Sequence, residues 1–152
     1  MQILVFEFDT FTTLYNLNYV NGSLKFKEIS KLKYFELKEY PEDTKCILID
    51  ETSPDEPKKS MVINTLLTSN FKITTNNVTN AIKRINSIGQ IIEHLNREEY
   101  IRLSTPCIAN VGMVKSYFKR HDQWDFNKFL LHNKEFYREY NTVKPLVHLE
   151  SK

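Results

Sequence analysis

The dipeptide Asn21-Gly22 constrains this chain more than any other feature. Asn-Gly readily supplies the left-handed backbone that a two-residue hairpin turn demands, and here it stands between runs rich in aromatic and β-branched residues. Phe11 to Val20 leads into the turn and Leu24 to Lys27 returns from it. Ahead of both, Gln2-Ile3-Leu4-Val5-Phe6-Glu7-Phe8-Asp9 has the composition of a strand. Its period of two puts Leu4, Phe6 and Phe8 on one face and Ile3, Val5, Glu7 and Asp9 on the other. The opening of the chain therefore predicts an antiparallel meander of three strands, whose apolar faces the remainder must cover.

After the meander the period changes. Ile29, Leu32 and Phe35 recur every three residues, which predicts a short helix within 28–39, closed by Pro41. Cys46-Ile47-Leu48-Ile49-Asp50-Glu51 predicts a buried fourth strand with two carboxylates at its C-terminal end. Ser53-Pro54-Asp55-Glu56 has the form of a helix start, with Ser as N-cap, Pro in the first helical position and Glu three residues after the cap. Met61 to Leu67 would continue that helix, and the polar Thr74 to Asn77 would form a loop. Val78, Ile82, Ile85, Ile88, Ile92 and Leu95 then follow one another every three or four residues, the stripe of an amphipathic helix packed on a sheet. Gly89 would lie inside it at a cost of about 1 kcal/mol against Ala, which points to a close helix contact, for packing or for a dimer. Tyr100-Ile101-Arg102-Leu103 predicts another strand, and Pro106 opens a helical region with helices over 111–119 and 126–140. The expected architecture is one α/β domain over 1–152, a mixed sheet covered by helices.

Composition agrees with an ordinary globular domain: 41% of the 152 residues are hydrophobic and 26% are charged. A domain of this length buries about 70% of its unfolded surface and needs no metal or disulfide merely to fold. Cys46 and Cys107 lie far apart with no histidine at ligand spacing, so they predict small core residues. No apolar run reaches the ~20 residues of a membrane span, and no signal-peptide pattern opens the chain; a cytoplasmic protein is the expectation. The net charge of +2 hides an asymmetry, since residues 1–60 carry eight basic and eleven acidic side chains while eight basic and three acidic ones lie between Lys72 and Arg120. No Gly-rich phosphate loop and no Gly-x-Ser-x-Gly elbow is present, which argues against a P-loop, a dinucleotide fold and an α/β-hydrolase.

Carboxylates stand at three informative places. Asp9 ends the first strand, Asp50 and Glu51 end the fourth, and Asp122 and Asp125 precede a late helix. Three or four converging carboxylates can hold Mg²⁺ ions, and a pair of ions can clamp the attacking and leaving oxygens of a phosphodiester. The pieces Phe8-Asp9, Leu48-Ile49-Asp50-Glu51 and Asp122-Gln123-Trp124-Asp125, in that order, resemble the RuvC-type Holliday-junction resolvases. The segment Asn77 to Asn96 is similar to a helix of that family, as Thr105-Pro106 with Val114-Lys115 is to a later stretch. Two departures accompany the resemblance: Asp9 lacks the family's following Gly-containing turn, and Trp124, Phe126 and Phe129 stand where the family packs small residues.

The resemblance implies an RNase H-like mixed sheet and a Mg²⁺-dependent endonuclease, with Mn²⁺ as a substitute ion, resolving branched DNA by paired nicks as a homodimer. Asp9, Asp50 or Glu51, Asp122 and Asp125 would be the catalytic metal ligands, and Lys83, Arg84, Lys115, Lys119 and Arg120 would hold the DNA backbone. Alternation along a strand lets only one of Asp50 and Glu51 join Asp9. The second expectation is a catalytically inactive RNase H-like protein serving viral assembly or binding a host protein, in keeping with a Lys-, Asn- and Ile-rich composition typical of AT-rich genomes.

Overall fold

The computed structural model describes residues 3–9, 12–20, 23–32, 40–68 and 73–134. In chain order these form β1 (Ile3–Phe8), β2 (Thr12–Val20), β3 (Ser23–Leu32), β4 (Lys45–Asp50), α1 (Lys58–Thr68), β5 (Ile73–Asn77), β6 (Ile82–Ile85), β7 (Ile91–Leu95), β8 (Ile101–Asn110), α2 (Val111–Phe118) and α3 (Phe126–His132). Six strands make one sheet in the order β3-β2-β1-β4-β8-β5, and β6 with β7 makes a separate hairpin. The antiparallel meander of β1, β2 and β3 is as expected, although the turn residues Asn21 and Gly22 lie outside the described residues.

β4 lies parallel to β1, in a register that runs from Leu4 beside Cys46 to Phe8 beside Asp50. β8 is antiparallel to both β4 and β5, so β5 points the same way as β4. The sheet thus contains one directly parallel pair rather than the set of parallel strands that the RNase H-like expectation requires. The long return strand β8 separates β4 from β5, and the C-terminal ends of β1, β4 and β5 share one end of the sheet.

Alternation sorts the side chains into two layers. Ile3, Val5, Ile47, Ile49 and Ile108 face Val62, Ile63 and Leu66 of α1. Leu4, Phe6, Phe8, Cys46, Leu48 and Cys107 cluster with Val111, Val114 and Tyr117 of α2 and with Phe126, Phe129 and Leu130 of α3. Burying each large apolar side chain contributes about 1.5–3 kcal/mol, so one short helix on the first face and two on the second can close the core. Asn110 caps α2 by accepting from the Met113 amide at 2.9 Å, and Asp125 caps α3 by accepting from Lys128 at 3.1 Å.

Several expected elements differ. The stretch expected to be a helix from residue 28 instead continues β3 to Leu32, while 33–39 lie outside the described residues. Ser53 to Pro57 form turns, and α1 begins only at Lys58. The expected loop 74–77 is β5, where Ile73, Thr74 and Thr75 are β-branched and buried. The expected long helix is the β6–β7 hairpin. Asn86-Ser87-Ile88-Gly89 is a turn, with Gly89 at a φ of +85° that helices exclude, and the isoleucines that mimic a helical stripe are strong strand formers. β8 runs through Pro106 to Asn110 because the β5 ladder slips there, leaving Thr105 and Pro106 unmatched, and the β4 ladder begins only at Cys107. Of the last expected helix, α3 spans Phe126–His132, with 135–140 outside the described residues.

Candidate functional site at the ends of strands four and five

Asp50 closes β4 on the face covered by α2 and α3 and is only 8% exposed. A buried carboxylate is tolerable only when its oxygens are hydrogen-bonded. One oxygen, Oδ1, accepts from the Thr52 amide at 2.8 Å, from the Thr52 hydroxyl at 2.6 Å and from the Thr105 hydroxyl at 2.6 Å. The other accepts from the Trp124 indole N–H at 2.7 Å. The two threonine hydroxyls also bond each other, oxygens 2.9 Å apart, and both oxygens accept from backbone amides. Thr52 Oγ1 accepts from the Thr105 amide at 3.1 Å, Thr105 Oγ1 accepts from the Asp50 amide at 3.2 Å, and the Ser53 and Thr105 hydroxyls are bonded at 2.7 Å. Four donors thus converge on Asp50 from three parts of the chain, and the carboxylate holds the turn after β4 against β8.

Trp124 reaches this place through a loop fixed by Tyr117. The buried Tyr117 hydroxyl donates to the Gln123 carbonyl at 2.9 Å and accepts from the Asp125 amide at 3.1 Å. Burial pushes the phenol above its ordinary range, partly offset by the hydrogen bond to the Asp125 backbone. The indole then stacks on Phe8, centroids 3.9 Å apart and planes within 9°, and touches Phe118 and Phe129 obliquely. Such stacked pairs contribute about 0.5–1.5 kcal/mol beyond the area they bury.

Beside this network a cleft of 710 Å³ opens between the turn after β4, the end of β5 and the start of β8. Thr52 belongs to its wall, so the Asp50 network shapes the cleft from behind. Asp55, Lys58, Asn76, Asn77 and Arg102 supply its polar groups. Asn76 lies opposite Arg102 in the ladder and donates from Nδ2 to Ser104 at 3.2 Å, while its buried Oδ1 has no hydrogen-bond partner among the described residues. Among the described residues no hydrogen bond or ion pair holds the Arg102 guanidinium. Glu56 is already engaged, by Ser60 Oγ at 2.6 Å and Lys59 at 3.8 Å.

The residues singled out by the sequence are dispersed over this scaffold. Asp50 is enclosed by donors, whereas Glu51 is exposed in the following turn. Asp9 is exposed in the bend after β1, and the stacked Phe8 and Trp124 rings fill the face that Asp50 points into. Asp122 is exposed and Asp125 caps α3. Among the described residues no three His, Cys, Asp or Glu side chains come together as a metal-binding group. Lys83 meets His94, and Arg84 meets Glu93 at 2.5 Å, both on the separate hairpin. Lys115 donates to the Tyr40 carbonyl at 3.0 Å, and Lys119 and Arg120 follow it, exposed, at the end of α2. Sequence reasoning missed Thr52, Thr105, Asn76 and Arg102 as members of one site. One signal was available: Asp-x-Thr at Asp50 is an Asx turn, in which the carboxylate takes the amide two residues on.

No family model matches the chain, and no curated protein matches it in sequence. Solved structures similar to it include two of 4-diphosphocytidyl-2C-methyl-D-erythritol synthase. One is 19% identical, covering 68% of this chain and 49% of its own at a TM-score of 0.46. The other, from Anaerococcus prevotii DSM 20548, is 15% identical, covering 66% and 48% at the same TM-score. The chain spans about half the length of these synthases. An overlap this loose carries neither their fold nor their activity over to it. The chain's own geometry departs from the RuvC-type expectation: a hairpin stands where the helix of that family was expected, β8 runs antiparallel beside β4, and the Trp124 indole is bonded to Asp50. The RuvC-type resemblance is therefore corrected, and with it the Holliday-junction endonuclease and its inactive RNase H-like viral counterpart. Among the described residues no helix is long and apolar enough to cross a membrane.

Proposed function

We propose that this protein binds a small polar anion in the cleft at the C-terminal ends of β4 and β5. One observation carries the proposal: the Arg102 guanidinium and the Asn76 Oδ1, both without a partner among the described residues, line the same 710 Å³ cleft. Ligand sites commonly enclose about 300–1,000 Å³ and set a few convergent polar groups in a concave wall. A guanidinium forms two parallel hydrogen bonds to a phosphate or carboxylate, and Lys58 adds a second positive charge. Asn76 Oδ1 and Asp55 would accept from hydroxyl or amine groups on the ligand. The favoured class is therefore a compact phosphate- or carboxylate-bearing molecule that also offers donors. Asp50 does not touch the ligand in this scheme; it positions Thr52 and the turn that walls the cleft.

Thermal denaturation with a nucleoside monophosphate, a sugar phosphate and a dicarboxylate as probes tests the proposal. A probe at a hundred times its dissociation constant stabilises by about 2.7 kcal/mol, which raises the melting temperature of a domain of this size by about 5–10 °C. The shift should vanish in Arg102→Gln and persist in Lys119→Gln. No shift with any of the three, or an equal shift in Arg102→Gln, would remove the cleft as the binding site.

A further inference from the structure

The walls of the cleft beside Asp50 carry charges of both signs. Asp55 and Glu56 are acidic, Lys58 and Arg102 are basic, and their formal charges cancel. Glu56 is engaged within the protein, by Ser60 Oγ at 2.6 Å and Lys59 at 3.8 Å. Asp55 differs. Its main-chain carbonyl accepts from the Lys59 amide at 3.1 Å where the chain enters α1. Among the described residues no hydrogen bond or ion pair holds its carboxylate, just as none holds the Arg102 guanidinium. Asp55 and Arg102 thus share one cleft without pairing with each other. Asp55 comes from the turns before α1 and Arg102 from the start of β8, so the fold sets an anion and a cation on separate walls and leaves both poles to a ligand.

A plain anion uses only half of such a surface. Bonded to Arg102, it also feels the like charge of Asp55, which weakens it without excluding it. Hydroxyl groups on the ligand would fill the hydrogen-bonding capacity of Asp55 but leave its charge uncompensated. An ammonium group does both, since it donates three hydrogen bonds and carries the opposite charge. Asn76 adds a second acceptor of the same kind. Its Nδ2 donates to Ser104 Oγ at 3.2 Å, and the buried Oδ1 is left requiring a donor. On the anion-binding reading of this cleft, we infer that its ligand is an amino acid, with the carboxylate in the fork of Arg102 and the ammonium group on Asp55 and Asn76 Oδ1. A single carboxylate matches the one guanidinium of the lining by two parallel hydrogen bonds, and a net-neutral ligand matches walls whose charges cancel.

Isothermal titration calorimetry of the full chain with matched probes tests this. Alanine, γ-aminobutyrate and ε-aminocaproate set the ammonium group at increasing distances from the carboxylate. Propionate, butyrate and caproate lack it, and gluconate offers hydroxyls in its place. At least one amino acid should bind about fivefold tighter than its deaminated match and than gluconate, the scale of one exposed ion pair. Asp55→Asn should remove that advantage while leaving the plain carboxylate as tight or tighter, and Arg102→Gln should weaken both. Plain carboxylates that bind as tightly as their amino counterparts, or an advantage that survives Asp55→Asn, overturn the amino-acid assignment and leave the anion site standing. So does a set of probes none of which binds while a phosphate still raises the melting temperature through Arg102. Gluconate as the tightest probe overturns the assignment in favour of a sugar acid. Amino acids that bind Arg102→Gln as tightly as the wild type overturn the cleft reading itself, and the assignment with it.

Discussion

The end of β4 and the β6–β7 hairpin invert the usual distribution of side chains in opposite senses. One encloses a carboxylate and the other exposes isoleucines. Asp50 is tolerated inside because four donors meet it, from the turn after β4, from β8 and from the loop before α3. Among the described residues nothing at the hairpin does the corresponding job for Ile88. A group placed against its solvation preference is structural where its requirement is met within the chain, and points outward where it is not. By this criterion Asp50 is a positioning residue, and the hairpin presents its isoleucines to solvent.

The largest effect expected from this contrast is at Asp50. Asp50→Ala leaves the Trp124 N–H and the Thr52 amide without their acceptor inside the protein, and unsatisfied buried donors cost about 1–3 kcal/mol each. Urea denaturation should show a loss of about 3 kcal/mol or more, whereas Ile88→Ala should stay within about 0.5 kcal/mol. Equal losses at the two positions would erase the distinction. Trp124→Phe keeps an aromatic ring against Phe8 but removes a hydrogen bond to a charged group, an expected loss of about 1.5–3 kcal/mol.

A smaller effect concerns the thiols packed beneath the same helices. Burial pushes Cys46 and Cys107 well above their ordinary value of 9.0. The unfolded thiol therefore ionises first, so their contribution to stability is intact below about pH 8.5–9 and declines as pH rises further. Each should add up to about 1.4 kcal/mol per pH unit to the alkaline loss, and Cys46→Ala should remove its share of that slope. A slope unchanged by the substitution would place the alkaline sensitivity elsewhere. The smallest effect is expected at Arg102. Arg102→Gln should leave stability within about 0.5 kcal/mol while abolishing the ligand-dependent shift, because the guanidinium faces the cleft and holds no partner among the described residues.

The same contrast explains what was legible in the sequence. Where period two was uninterrupted, as in Ile3 to Phe8 and Cys46 to Asp50, both the strand and its two faces could be read directly. The hairpin was misread because isoleucines at 82, 85, 88 and 92 satisfy a helical spacing by coincidence, while Asn86 and Gly89, the turn residues between them, carried the correct signal. Asp50 was legible as a special residue, but its role was not. Whether a strand-end carboxylate meets cations or donors depends on Thr105 and Trp124, 55 and 74 positions away, which no local pattern connects to it. The cleft was invisible for the same reason, because Asn76 and Arg102 become neighbours only through the β5–β8 ladder.

A double-mutant cycle between Asp50 and Trp124 tests the central claim most directly. Urea denaturation of wild type, Asp50→Ala, Trp124→Phe and the double variant isolates the energy of the single contact from the rest of the network. If the carboxylate is held by the indole, the two losses should fall short of additivity by about 1 kcal/mol or more, since either substitution already breaks the bond. Additive losses, with the double variant destabilised by the full amount of both, would mean that Asp50 and Trp124 act independently and that the carboxylate is not the post on which the cleft wall is set.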